Sequence, residues 1–234
     1  MLAIMKREIS SYFSSAIGYI ILAAFYVFGG LYFYMTSLLA NNTSLADTFG
    51  NLFVILIFMI PVLTMRLFSE EKKQKTDQAL LTAPVSLLSI ALGKYFAALI
   101  MYLICIAITL VYAIVISFFN APSWVTVLTN FLGIFLLGAA LIAIGMFLSS
   151  ITENQIIAAI SGIVIGIFIF MIDAIASAIS IPFVNTVLKK ISFMSHYNNF
   201  TLGILSLADV VFFISVCVLF VFLTIRVFEK KRWS

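Results

Sequence analysis

Residues 95–152 read YFAALIMYLICIAITLVYAIVISFFNAPSWVTVLTNFLGIFLLGAALIAIGMFLSSIT, without a single Asp, Glu, Lys or Arg. A membrane-crossing helix needs about 20 apolar residues, so this run is too long for one crossing. It breaks at Asn120-Ala121-Pro122-Ser123, a turn signal, and so reads as two apolar helices joined by a short polar hairpin. Period-two alternation is absent, and hydrocarbon tolerates only helices or closed barrels, because every backbone polar group must be satisfied within the segment.

The rest of the chain repeats the pattern. Residues 9–46, 48–65, 154–172, 191–208 and 210–225 are also free of charge. Hydrophobic residues make up 64% and charged residues 9%, against about 25% charged in a soluble domain. The mean hydropathy is +1.24. These runs predict an all-α integral membrane protein with six transmembrane helices, forming a single transmembrane domain over 1–234. The spans fall near 17–39, 50–67, 92–118, 125–149, 156–180 and 207–227. The first apolar run exceeds the 7–15 residues of a signal-peptide core, which predicts a retained span. No room remains for a soluble catalytic or nucleotide-binding domain.

Charge placement sets the orientation. With the N-terminus in the cytoplasm, all but Lys189 and Lys190 of the 13 Lys and Arg residues fall on the inner side. The positive-inside rule therefore puts both termini in the cytoplasm. Scattered at membrane boundaries, these cations do not form a nucleic-acid-binding face.

Two segments lie outside the spans without being plain loops. In residues 1–15, Leu2, Met5, Ile9, Tyr12 and Phe13 recur at helical spacing, with Lys6, Arg7, Glu8 and Ser10 elsewhere. That predicts an amphipathic helix in the cytoplasmic interface. In 181–206, Val184, Val187, Leu188, Ile191 and Met194 recur opposite Asn185, Lys189, Lys190 and Ser192, which predicts a helical segment on the outer leaflet between spans five and six.

The residues that carry enzyme chemistry are missing. His196 is the sole histidine, which rules out a multi-histidine metal site within one chain. No HExxH, GxSxG or GxxxxGK[ST] occurs. Asp173 stands alone in span five, and Pro61 marks a kink near the inner end of span two. Cys105 and Cys217 sit within apolar runs and imply no disulfide framework. Ala158, Gly162 and Gly166 form a small-residue ladder that permits close helix approach, within the chain or against a second copy.

The stretch from Arg66 to Lys94, RLFSEEKKQKTDQALLTAPVSLLSIALGK, is the longest inner loop. Thr76 can cap a short helix with Asp77 in its first turn. Leu80, Leu81 and Ala83 give that helix an apolar side, Pro84 closes it, and Ser86 can cap the next. Such a helix either docks into a groove on another protein or packs against the inner ends of the spans.

These residues resemble the permease subunits of ABC-2 type ABC exporters, in the branch holding the gliding-motility-type and copper-processing-type permeases. The family pattern runs through Glu70-Glu71, Lys72-Lys73, Thr76, Leu80-Leu81, Pro84-Val85-Ser86 and Gly93-Lys94, with Lys75 standing where the family commonly has Gly. The stretch SHYNNFTLGILSLADVVFF, carrying His196, Tyr197, Phe200, Gly203 and Asp209, is similar to the family's outer segment entering span six.

The resemblance implies a half-transporter of the bacterial cytoplasmic membrane. A second permease copy, identical or related, completes the membrane part. Two copies of a cytoplasmic ABC ATPase subunit bind the ATP and Mg, so this chain has no cofactor and no catalytic residue of its own. Residues 77–86 would form the coupling helix. The ATPase contact would draw on Glu70, Glu71, Thr76, Asp77, Leu80, Leu81, Pro84 and Ser86, braced by the first helix. Spans two and five would line the pathway, with Phe53, Phe58, Gly162, Gly166 and Phe170 as wall residues. The 24 Phe also suit contact with membrane lipid. Apart from the resemblance, the same loop fits a membrane scaffold or sensor subunit that docks a cytoplasmic regulatory protein.

Overall fold

The computed structural model describes residues 1–76, 85–119, 123–178 and 182–233; all but Ser123 of the turn expected at 120–123 lies outside them. Among the described residues every regular element is a helix. In chain order these are α1 (Leu2–Ser14), α2 (Ala16–Phe33), α3 (Ala46–Thr64), α4 (Arg66–Lys73), α5 (Leu87–Ile106), α6 (Ile108–Ser117), α7 (Trp124–Ile151), α8 (Gln155–Ala178), α9 (Pro182–Ile191), α10 (Phe193–Thr201) and α11 (Leu207–Trp233). A single π-helical turn, Tyr34–Leu38, extends α2. Six segments are long and apolar enough to cross a membrane: Ala16–Leu38, Ala46–Lys73, Leu87–Ser117, Trp124–Ile151, Gln155–Ala178 and Leu207–Lys231.

Helix α7 occupies the centre and touches α3, α4, α5, α6, α8, α10 and α11. Its composition allows this. It is apolar on every side, as a helix surrounded by others must be, and it carries Gly133, Gly138, Ala139, Ala140, Ala143 and Gly145, over which neighbouring backbones can approach. Lipid offers no hydrophobic drive between helices, so close packing and interhelical hydrogen bonds have to hold the bundle. Tyrosine hydroxyls supply several of these bonds. Tyr102 donates to the Ile134 carbonyl at 2.5 Å, Tyr95 to Ala139 at 3.1 Å, Tyr197 to Phe49 at 2.8 Å and Tyr12 to Leu63 at 2.9 Å.

The small-residue ladder packs within the chain. A Cβ on Gly162 would come within 2.8 Å of Pro61, and one on Gly166 within 2.9 Å of Ile57, so α8 lies directly on α3 at these positions. Pro61 has no amide hydrogen to continue the α3 ladder, and α3 ends three residues later at Thr64, just before a break at Met65. At one end of the bundle α1, α4, the start of α5 and the end of α11 gather most of the charge. At the other end, α9 and α10 fold across the bundle, joined to α8 by Ser195 donating to Asp173 at 2.7 Å. The outward faces of α2, α8 and α11 remain apolar and uncovered, as lipid-facing helices require.

Candidate functional site

Four charged side chains meet where the loop from Arg66 to Lys94 leaves the bundle. Lys94, in the second turn of α5, is 1% exposed. Its ammonium lies 2.9 Å from Glu8 Oε1 and 3.0 Å from Glu71 Oε1. Arg7 donates to the same two oxygens, at 2.7 Å each. Each carboxylate thus serves both cations, and the ring closes with no net charge. The Lys94 ammonium also lies 5.1 Å from the centre of the Phe68 ring. A buried ammonium is costly unless paired and hydrogen-bonded, and here it has two carboxylates and an aromatic face.

The ring joins α1, α4 and α5, the two helices that flank the loop and the helix that precedes the first span. Burial pushes the Glu8 carboxyl up, but Lys94 and Arg7 outweigh it and hold the group below the usual glutamate range. The Arg7 guanidinium, hydrogen-bonded to Glu8 and facing Glu71, holds its proton more firmly than usual. Beside the ring, Arg66 donates to Glu70 at 2.8 Å and to the Ser15 hydroxyl at 3.1 Å.

A second device controls how α4 leaves α3. The helical ladder is interrupted at Met65, which would orphan the first amides of α4. Ser149 of α7 supplies what is missing. Its hydroxyl accepts from Phe68 N and Ser69 N, both at 3.1 Å, and donates to the Met65 carbonyl at 2.9 Å. Nearby, the Lys72 ammonium reaches the Ser150 carbonyl and lies 5.9 Å from the Phe228 ring. The far end of α4 closes with Thr76 N donating to Glu71 O at 2.9 Å and Lys75 N to Lys72 O at 3.1 Å, with Lys75 at φ +57°. That is the Schellman arrangement, which places a left-handed residue just after the helix.

The sequence-predicted residues fall into three groups. Asp77, Leu80, Leu81 and Pro84 lie outside the described residues. Glu70, Glu71, Thr76 and Ser86 sit around the joint: both carboxylates are engaged by cations of this chain, and Ser86 caps α5 by accepting from Ser89 N at 3.3 Å. Of the expected wall residues, Gly162 and Gly166 are buried against α3. Phe53 is fully buried, 5.4 Å from Phe170 and 5.7 Å from Tyr197 between ring centres. Phe58 is exposed and lines an apolar groove of about 530 Å³ between α2 and α3.

Arg7 and Glu8 lie on the polar side of α1, and the spacing of that helix does not reveal their partners. The available signal was Lys94 itself, a lone cation at the head of a charge-free run, which demands a carboxylate from another element.

The far end holds a second polar cluster. His196 Nδ1 lies 2.5 Å from Asp209 Oδ1 and Nε2 lies 3.0 Å from the Lys190 carbonyl. Asn199 donates to the other Asp209 oxygen at 2.9 Å, and Phe212 stacks on the imidazole at 4.1 Å. Both ring nitrogens thus face oxygen acceptors within the cluster. The cluster ties α10 to α9 and α11. Among the described residues no group of three or more His, Cys, Asp or Glu could hold a metal ion.

Among known families, the model for ABC-2 family transporter protein matches residues 35–228 of the chain. That range contains both stretches, Arg66 to Lys94 and Ser195 to Phe213. A search of the curated proteins finds no match.

Proposed function

Because the chain belongs to the ABC-2 family of transporter proteins, a family of multi-pass membrane components that implies a partnering ATP-binding subunit, we propose that it is the permease of an ATP-driven exporter in the bacterial cytoplasmic membrane. Two copies would enclose the pathway, and two ATPase subunits, holding ATP and Mg, would dock from the cytoplasm against the loop between α4 and α5. The charged end of the bundle is then cytoplasmic, in keeping with the positive-inside rule.

The observation that carries this reading is the closed ring of Arg7, Glu8, Glu71 and Lys94. A push on the loop acts through its two flanks, α4 and α5. Pulling those flanks apart would break the contact between Glu71 and Lys94 and leave the buried ammonium with Glu8 alone, which opposes their separation. The joint therefore moves as one body with α1, and motion passes to α3 through the break at Met65, beyond which Ser149 keeps the Phe68 and Ser69 amides satisfied. In this role Glu71 is a positioning residue, and Leu80 is the residue expected to touch the ATPase.

Reconstitution with the ATPase subunits tests it. Glu71→Gln and Leu80→Asp are each expected to leave membrane insertion intact while ATP hydrolysis no longer drives transport. Normal transport by both variants, or no complex after crosslinking at residues 77–86, would sink the assignment.

A further inference from the structure

At the end of the bundle opposite the charged joint, a cleft of about 790 Å³ opens between α3 and α10, with Phe170 of α8 at its side. Two helical stripes face each other across it. On α3, Asp47, Asn51 and Val54 recur at four and three residues, one turn of about 5.4 Å apart, so that the wall changes from charged to amide to apolar as it descends. Facing it, Met194 and Asn198 of α10 and Leu202 just past its end recur every four residues. The Asn51 and Asn198 carboxamides have no hydrogen-bond partner among the described residues. Asp47 meets only Asn42, at 3.5 Å. No Lys, Arg or His lines the cleft. A Cβ built on Gly50 meets nothing within 4 Å, so this part of the wall is open.

From this juxtaposition we propose that the cleft binds an amphiphile with an ammonium or similar N–H-donating head, the head held by Asp47, Asn51 and Asn198 and the apolar portion lying along Val54, Phe170 and Met194. The chemistry selects the head. A lone carboxylate with two carboxamides and no cation complements a donor-rich cation and opposes an anion. The polarity gradient selects the orientation, head at the mouth and chain toward the bundle. This deepens the export reading and rests on it for the ligand's role as cargo, because the cleft lies on the side where cargo would leave.

The test uses purified chain in phosphatidylcholine nanodiscs with Gly50→Cys as reporter, the unsubstituted chain serving as blank for Cys105 and Cys217. The rate of fluorescent maleimide labelling is followed against dodecylammonium and dodecyl sulfate at equal bilayer-bound amounts. Dodecylammonium is expected to protect Gly50→Cys at roughly tenfold lower concentration than the sulfate. Asp47→Asn should abolish that preference, each protected rate being taken relative to the same variant with no amphiphile. Asn198→Ala, on the facing helix, should weaken protection independently. Equal protection by the sulfate, full preference in Asp47→Asn, or labelling blocked without amphiphile and released on dilution, as occupancy by a second copy would give, each overturns the proposal. No ATPase enters the assay. Protection that persists where ATP-coupled transport fails would remove the export reading and leave the ligand site.

Discussion

Lys75 stands in the left-handed region at φ +57°, where a side chain costs about 1–2 kcal/mol relative to glycine. The two closing bonds to Glu71 O and Lys72 O require that conformation, which glycine adopts without the steric cost of a Cβ. Lys75→Gly is therefore expected to stabilise the chain by about 1 kcal/mol, read as a higher midpoint in thermal unfolding in detergent. The charged ring offers a sharper residue-level test. Lys94 keeps one carboxylate in Glu8→Gln or Glu71→Gln and none in the double variant. The double variant should cost about 3–5 kcal/mol, more than the two single losses together, because only then is the buried ammonium unpaired. Adding Lys94→Met to it should restore part of that loss. Strict additivity of the single effects in a double-mutant cycle would mean that the carboxylates act separately.

At the scale of elements, α1 shows what a sequence can and cannot convey. Its helical character and two-faced pattern are legible from the spacing of Leu2, Met5, Ile9, Tyr12 and Phe13. Which face meets the protein is not, since the packed face is centred on Glu8 and Tyr12 and leaves Leu2 and Phe13 exposed. A charged residue reads as solvent-facing until its partner is known, and Lys94 lies 86 residues away. The six spans are legible because lipid makes apolar length decisive, and Ser86 is legible as a cap. The cap at Met65 is not, because its hydroxyl comes from Ser149 on α7. The Glu8 carboxylate makes the docking of α1 dependent on pH. Its folded pKa lies below the unfolded value, so the contribution is fully present above the ordinary glutamate range, about pH 4.3, and is lost as pH falls through the lowered folded value. A spin label at Ser10→Cys should show α1 equally immobile from pH 8 to pH 5 and mobile in stronger acid. In Glu8→Gln that acid step should be absent.

At the scale of the whole molecule, the charge distribution orients everything else. The end that carries the ring also carries Arg66, Lys72, Lys73, Lys75, Arg226, Lys230 and Lys231, while Lys189 and Lys190 are the cations of the opposite end. Lys and Arg cost about 2.5–3.5 kcal/mol each at the centre of a crossing helix, whereas acidic residues contribute little to topology. The acids at the charged end do not cancel this bias, so the orientation with that end in the cytoplasm should be the single one populated. Thr43 and Gln74 are exposed at opposite ends of the bundle, and neither side chain makes a bond that its replacement would break. Thr43→Cys in intact cells should react with a membrane-impermeant maleimide, and Gln74→Cys only after the membrane is permeabilised. The reverse pattern would place the joint outside, away from any ATP, and the coupling role of the ring would fall with it. The same pair separates the two ends of the proposed route: a push at the Gln74 side, on helices locked by Lys94, has to reach the Thr43 side, where the amide-lined cleft opens beside α3. Helix α3 runs from one to the other, carrying Pro61 and breaking at Met65, with α8 beside it touching α4 and bringing Phe170 to the cleft.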